Sequence, residues 1–305
     1  MRGPRAGLSV AELLVVMAIA GIFGAAIAAT LNREQRFYHG AAELHYVREN
    51  VRDAMEVLST DIRGMSVSDT VRLRADSAIE FFANIGSSVV CQISGSEVGL
   101  PSSHSSASSL SAFLIEPDTG DIAVFYGRSE SGAEEWKQYR IASFGSRPLA
   151  SSCPAVSGMS QQSEIDRGGN GFAVTLGAPL GSETRVGLPI RFVRRARYSL
   201  YRAGDGQWYL GYRRCNAVGV SVCGAVQPVS GPYRAYSSDS RASGLVFEYF
   251  DASGQSLPPV ASPLALARVD VTARSESAHQ IAFGFASNRI SDSATVSLAI
   301  RNVVR

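Results

Sequence analysis

The 305-residue sequence has almost no excess of charge of either sign, with 29 basic and 27 acidic side chains. The net charge of +2 excludes a strongly basic nucleic-acid-binding protein and a protein with an acidic tail. Lysine is nearly absent, since Lys137 is the only one, and we attribute the arginine bias to a GC-rich genome. A mean hydropathy of +0.04 excludes a polytopic membrane protein, and an apolar share of 45% excludes a wholly disordered chain.

Sequence patterns of well-known catalytic sites are missing as well. The chain contains no G-x-S-x-G, no H-E-x-x-H and no G-x-x-x-x-G-K-[ST] pattern. Nothing in it assembles a nucleophile, a base and an orienting group. We therefore expect a protein that is not an enzyme and that has neither a cofactor nor a bound metal.

What the sequence does contain is one long apolar run near its N-terminus. Residues 13–31 carry no charge and, apart from two glycines and one threonine, are all apolar. As a helix this run would measure about 28 Å, close to the hydrocarbon thickness of a bilayer. Arg2 and Arg5 precede the run, and the positive-inside bias predicts a cytoplasmic N-terminus with the rest of the chain across the membrane.

Three interpretations of this segment compete. A secretory signal peptide would be cut after Ala28, because Ala26 and Ala28 form an A-x-A site. A plain single-span anchor would not be cleaved. A third kind of precursor would be cleaved on the N-terminal side of the apolar run. Glu12 favours the third, because a carboxylate in an apolar helix costs about 2.5–3.5 kcal/mol at the membrane centre and benefits neither of the first two.

The residues around Glu12 resemble a known processing signal. The string GLSVAE at 7–12, followed by LLVVMAIAGIFG, resembles the class III signal of type IV prepilins, although Leu8 replaces the commoner phenylalanine. The resemblance implies that prepilin peptidase removes a leader of residues 1–7 by cutting after Gly7, and that Leu8 becomes the N-methylated first residue. It also implies that Glu12 pairs with the terminal amine of a neighbouring subunit during filament assembly, since a buried charge is tolerated when it is paired.

Helical periodicity continues beyond the apolar run. No proline occurs from Gly7 to Gly64, so we predict one helix of about 55 residues that ends at Gly64. Its first half, 8–31, would form the transmembrane and filament-core segment, and 32–63 would be an amphipathic continuation packed on a head domain. The alternative is a transmembrane helix followed by a separate amphipathic helix. The apolar positions of the continuation recur every three or four residues, at Phe37, Ala41, Leu44, Val47, Val51, Met55, Leu58 and Ile62.

Residues 64–305 have the pattern of a β-rich head, in which short apolar runs alternate with turn residues. We predict an α+β, pilin-like fold with the long N-terminal helix packed on an antiparallel sheet. The acidic turn at Asp118–Asp121 is typical of a simple turn more than of a Ca²⁺ site, and the serine-rich stretch 102–111 predicts an exposed loop. The predicted strands include Val71–Ala75, Ile79–Ala83, Ile122–Tyr126, Trp136–Ile141, Phe172–Leu176, Ile190–Val193, Tyr198–Arg202, Trp208–Tyr212, Leu245–Phe250, Ala267–Ala273, Gln280–Phe285 and Thr295–Ile300.

The four cysteines favour disulfides, because a head carried across the membrane meets an oxidising periplasm and their number is even. Three pairings are possible. Cys215 and Cys223 close a short local loop, so we favour that bond together with Cys91–Cys153. Free buried thiols are the alternative, and a zinc site is disfavoured because no C-x₂-C pair is present.

A basic cluster lies within one predicted β segment, at Arg191, Arg194, Arg195 and Arg197. Such a cluster could contact DNA or acidic partners. We favour the simpler interpretation, in which these side chains are solvated charges at a strand edge, and we expect no binding of nucleic acid.

The C-terminal part adds a second resemblance. The segments Gly244–Leu257, Ala265–Ser277 and the terminal AIRNVVR resemble the C-terminal half of PilW-like minor pilins and of the related J-type pseudopilins of type II secretion. This resemblance implies a minor pilin that works with other minor and major pilins, prepilin peptidase and the assembly platform of the inner membrane. The implied location is the bacterial inner membrane, with a periplasmic head, and then the filament. A J-type pseudopilin is the alternative, and a secreted hydrolase or adhesin cut after Ala28 is a distant one.

The mature N-terminus distinguishes these interpretations. We expect mass spectrometry of the protein isolated from its natural host to show a chain that starts at methylated Leu8. A chain that starts at Ala29 would contradict the prepilin interpretation, because cleavage there would remove Glu12 and most of the apolar run.

Overall fold

The computed structural model of the chain describes residues 9–65, 73–103, 110–128, 134–155, 159–216, 222–259, 261–277, 280–283 and 286–300. The fold is α+β, with one long N-terminal helix and a large antiparallel sheet, as the sequence predicts. The predicted leader at 1–7 and Leu8 lie outside the described residues.

The helix α1 (Val10–Gly64) runs for 55 residues without interruption. The prediction of a single helix that ends at Gly64 is confirmed, and the alternative of two separate helices is wrong. Ser9 is the N-cap of α1, so the helix begins before the apolar segment and includes all of it. The Met65 N–H donates to the carbonyl of Ile62 at 3.2 Å and closes the last turn.

The two halves of α1 have different surroundings. Residues 9–39 are all exposed, and the N-terminal part is long and apolar enough to cross a membrane by length and composition. Gly40 is the first buried residue, and from there one helix face is covered by the sheet. The buried residues of this face are Gly40, Val47, Asn50, Val51, Ala54, Leu58 and Ile62.

The described part of the head consists of strands, two short helices and one 3₁₀ turn. The short helices are α2 (Leu149–Ser152) and α3 (Gln162–Asp166), and the 3₁₀ turn is Pro263–Ala265. The strands are β1 (Leu73–Arg74), β2 (Ala78–Val89), β3 (Gln92–Ser94), β4 (Glu97–Leu100), β5 (Ala112–Phe113), β6 (Ile122–Arg128), β7 (Glu134–Pro148), β8 (Asn170–Leu176), β9 (Pro189–Arg202), β10 (Trp208–Arg214), β11 (Gln227–Tyr233), β12 (Leu245–Phe250), β13 (Arg268–Glu276), β14 (Ile281–Phe283), β15 (Ala286–Asn288) and β16 (Ser291–Ala299).

Fourteen of these strands form one antiparallel sheet, in the order β12-β13-β11-β10-β9-β6-β7-β8-β4-β3, with further strands attached to β2 and β13. The strand β9 is central, since it pairs with β2, β6 and β10. The long strand β7 pairs with β6 up to Arg140 and with β8 from Ile141, so it joins two parts of the sheet. The strands β14 and β15 form a separate hairpin.

The two largest apolar cores lie on the sheet. In the larger one, Leu58 and Ile62 of α1 pack against residues of β2, β9, β12 and β13, among them Phe81 and Val271. The smaller one lies between the β6–β9 region and β4, β7 and β8, around Phe125 and Phe192. The helix therefore covers only one part of the sheet, and the second core is closed by strands.

Several predicted strands have different bounds in the structure. Ile190–Val193 and Tyr198–Arg202 are two ends of one strand, β9, because the arginines between them have carboxylate partners and stay in the sheet. The strands β3, β4, β5, β11 and β15 are not among the predicted strands, since four of them are very short and β11 contains two prolines. The expectation of an exposed serine loop is wrong at its end. There Ser111 is buried, and its Oγ lies 2.7 Å from Ser88 Oγ.

Truncation of the helix face that meets the sheet tests this packing. We expect Leu58→Ala to lower the free energy of unfolding by about 2–5 kcal/mol, because the fully buried side chain leaves a cavity. The measurement is denaturant unfolding of the detergent-solubilised chain, followed by tyrosine and tryptophan fluorescence. Glu56→Ala, on the exposed face of the same helix, should change stability little. Equal losses in both variants would contradict the packing described.

Candidate functional site

The acidic residue of the N-terminal signal lies in the first turn of α1. The Ser9 N–H donates to Glu12 Oε2 at 2.9 Å, and the Glu12 N–H donates to Ser9 Oγ at 3.2 Å. This reciprocal pair is a capping box, which satisfies two backbone donors at the helix start. The Glu12 carboxylate also lies at the positive end of the helix dipole. Gly7 and Leu8, the other predicted processing residues, lie outside the described residues.

The apolar residues that follow Glu12 form a continuous exposed surface. Met17 is 65% exposed, Ile22 72% and Phe23 64%, and none of the most apolar window is buried. A helix that is apolar on all sides is stable in a membrane or packed among other helices. This half of α1 therefore needs surroundings other than water.

Of the four arginines that we predicted to be solvated strand-edge charges, Arg191 is exposed, whereas the other three pair with carboxylates. Arg195 is 1% exposed and contacts Glu80 of β2, whose side chain is fully buried. Arg197 donates to the other oxygen of the same carboxylate through Nε at 2.8 Å. Since β2 pairs with β9 and Glu80 lies opposite Arg197, the sheet itself places the carboxylate between the two guanidinium groups.

Arg194 belongs to a second network, built on the turn at Asp118–Asp121. Its Nη2 donates to Asp121 Oδ2 at 2.7 Å, and Arg214 donates to Asp118 Oδ2 at 2.9 Å and to Asp121 Oδ1 at 3.1 Å. The hydrogen bond to Asp121 raises the pKa of Arg194, and the one from Arg214 lowers the pKa of Asp118. Because two guanidinium groups already bind these carboxylates, the turn does not fit a Ca²⁺ ion.

All four cysteines are paired in the structure. Disulfides join Cys91 to Cys153 and Cys215 to Cys223, the two pairs that the sequence favours. The first is buried beside Leu149, and the second closes a loop next to Glu80. The Glu80, Cys215 and Cys223 side chains lie close enough to bind a metal ion together, but the disulfide removes both thiolates.

Polar contacts fix the packed half of α1 to the head. The Tyr198 hydroxyl donates to Asp61 Oδ2 at 2.5 Å, and the Tyr233 hydroxyl donates to the Asn50 carbonyl at 2.6 Å. Burial raises the pKa of Asp61, and it raises the pKa of Tyr198 as well. The contacts lie about three turns apart along α1, so they fix both its rotation and its position along the sheet.

Glu80 is the residue that the sequence reasoning missed. Its signal was a single acidic residue inside an otherwise apolar strand, AIEFFA at 78–83, in a chain with an arginine-rich strand elsewhere. Buried charges are rarely found without a partner, so this combination points to an internal ion pair.

Comparison with known proteins gives no relative for this chain. No family model, curated protein or solved structure matches it.

The buried and exposed ion pairs should differ strongly in their contribution to stability. We expect Glu80→Gln to lower the free energy of unfolding by about 3–5 kcal/mol, because Arg195 stays buried without a counter-charge. The matched control is Glu97→Gln, since Glu97 pairs with Arg147 at 2.7 Å on the surface and such pairs contribute at most about 1 kcal/mol. Both are measured by denaturant unfolding, and similar effects in the two variants would contradict the buried network.

Proposed function

We propose that this chain is a PilW-like minor pilin of a type IV pilus, which acts in pilus assembly, in its initiation, or at the tip. The observation that carries the proposal is the first half of α1, a fully exposed apolar helix whose capped first turn contains Glu12 of the prepilin-like signal. Such a helix would first span the inner membrane and then pack with the helices of neighbouring subunits in the filament.

In this proposal prepilin peptidase cuts after Gly7, and the new amine at Leu8 is methylated. The cut would leave the terminal amine one residue before the N-cap Ser9. The apolar helix would hold the chain in the inner membrane as a single span with a periplasmic head. Two disulfides suit that location, because disulfides persist in oxidising compartments.

Glu12 would have two roles that the geometry separates. In the single chain its carboxylate accepts the Ser9 N–H, which offsets part of the cost of a charge in lipid. In the filament the same carboxylate would pair with the terminal amine of a neighbour and set the register between subunits. The cap needs only a hydrogen-bond acceptor, whereas the pairing needs a negative charge.

The head supports a role in protein contacts more than in catalysis. The buried Arg195 and the largely buried Arg194 are neutralised within the sheet by Glu80 and Asp121. A head that spans residues 64–305 is large for a subunit repeated along the whole filament, so we assign the chain a low copy number. Its partners would be other minor pilins, the major pilin and the assembly platform, and we propose neither an enzymatic activity nor a nucleic-acid partner.

A J-type minor pseudopilin of a type II secretion system is the alternative proposal, since it would use the same N-terminal residues. The two differ in which machine fails when the gene is deleted. A secreted hydrolase or adhesin cut after Ala28 is more distant, because that cut would divide α1 within its exposed half.

Variants of the capping box test the role of the charge. We expect Glu12→Gln to leave cleavage intact but to reduce surface pili at least tenfold, because glutamine can still cap the helix but carries no charge. Glu12→Ala should behave alike. The measurement is the amount of sheared pili in a strain whose only copy of the gene is the variant.

Ser9→Ala is the matched control for this test. It removes the side-chain acceptor for the Glu12 N–H but keeps the carboxylate, so pili should form near the wild-type level. Normal pilus formation by Glu12→Gln would contradict the pairing argument. A defect in Ser9→Ala as large as that in Glu12→Gln would show that the cap matters and not the charge.

A further inference from the structure

One face of the head combines aromatic side chains with arginines that have no ion-pair partner in the described part of the chain. The Arg140 face consists of Tyr126, Trp136, Gln138, Arg140 and Arg191. Trp136, Gln138 and Arg140 alternate along β7 and are all exposed, so they share one side of the sheet. Tyr126 lies opposite Trp136 in the register of β6 and β7.

The aromatic end of this face is ordered by ring contacts. The Arg191 guanidinium lies 4.9 Å from the centre of the Trp136 ring, and the Tyr126 and Trp136 rings are 5.2 Å apart. Trp136 remains 41% exposed, although tryptophan is one of the least abundant residues of the chain. Tryptophan, tyrosine and arginine are the residues most enriched at the energetic centres of protein interfaces.

The other end of the face opens into a recess of about 450 Å³. This recess is lined by Arg140 and Arg214, by Thr119 and Gly120 of the Asp118–Asp121 turn, and by Cys215, Asn216 and Gly224. Arg214 is already bound to Asp118 and Asp121, whereas Arg140 forms no ion pair within the described residues. Arg140 is therefore the guanidinium in the recess that is free to bind an added carboxylate.

We propose that the Arg140 face binds an acidic segment of a partner protein, with a carboxylate in the recess on Arg140 and an apolar side chain on Trp136. Arg140 and Trp136 are four residues apart on one strand, which corresponds to about 13 Å. An extended segment would meet both sites with an acidic and an apolar residue about four positions apart. The inference rests on the head alone and does not require the proposed pairing of Glu12.

The charges of this region favour an acidic peptide over a nucleic acid. Among the described side chains of this region, Asp121 and Asp118 neutralise Arg194 and Arg214, which leaves Arg140 and Arg191 to contribute excess positive charge. Nucleic-acid binding usually requires many phosphate contacts.

A symmetric peptide tests the proposal whatever the direction of binding. The probe is a fluorescein-labelled nonapeptide, Asp-Gly-Ser-Gly-Phe-Gly-Ser-Gly-Asp, and its control has both aspartates replaced by asparagine. Fluorescence anisotropy is measured with the detergent-solubilised full chain at low ionic strength. We expect the aspartate peptide to bind at least tenfold more tightly than the control and to dissociate as salt is added.

Variants of the exposed side chains complete the test. Arg140→Gln and Trp136→Ala should each weaken binding at least fivefold without a change in thermal stability, and Gln138→Glu should weaken it by repulsion alone. Arg147→Gln, which removes a surface arginine paired with Glu97, should leave binding within twofold of wild type. Equal losses in Arg140→Gln and Arg147→Gln would overturn the proposal.

Three further outcomes would assign the face to another occupant and overturn the proposal. Acetate that competes as well as the peptide at equal carboxylate concentration would indicate a site for small anions. A single-stranded 20-nucleotide DNA that binds more tightly than the peptide, in an Arg140-dependent way, would indicate nucleic acid. Self-association of the full chain that Arg140→Gln abolishes, without peptide binding, would indicate a second copy.

Discussion

The structure depends on the contact between the second half of α1 and the sheet. Leu58 and Ile62 are fully buried there and share a core with residues from β2, β9, β12 and β13. Because those strands are far apart in sequence, the helix is the element that holds their apolar faces in one core. The hydrogen bond from Tyr198 to Asp61 fixes the rotation of α1 within this core. The direction in which the exposed half leaves the head is therefore set by packing near the helix C-terminus.

The charges of the head follow a second constraint, which is that a charge removed from water needs a partner. Glu80 is buried between Arg195 and Arg197, and Asp121 is buried between Arg194 and Arg214. Glu80 thus links β2 to β9, and Asp121 links its turn to β9 and β10. These networks explain why an arginine-rich strand can lie in the middle of the sheet, where a charge buried without a partner would be too costly.

Much of this architecture could be predicted from the sequence where the signal is local. The absence of proline and the periodic apolar positions up to Ile62 predict the helix, and strands such as Leu245–Phe250 have alternating patterns and clear turns. The partners of β9 could not be predicted in this way, because Glu80 lies more than a hundred residues from Arg195. Strand β11 could not be predicted for another reason. It contains Pro228 and Pro232, and proline is a poor strand former whose position in a sheet depends on tertiary contacts.

Two surfaces of the described chain lack the partners that apolar burial and charge pairing would give them. The first half of α1 exposes apolar side chains that water does not solvate well, and the Arg140 face exposes an aromatic ring beside guanidinium groups without carboxylates. In the interior of the head, Glu80 and Asp121 each bind two arginines. On the Arg140 face, by contrast, an exposed tryptophan lies beside an arginine that no described carboxylate binds, which is the basis for proposing that another chain binds there. Lipid or other helices would cover the apolar half of α1, whereas an acidic segment of a partner protein would bind the Arg140 face. The two surfaces would therefore have chemically different partners.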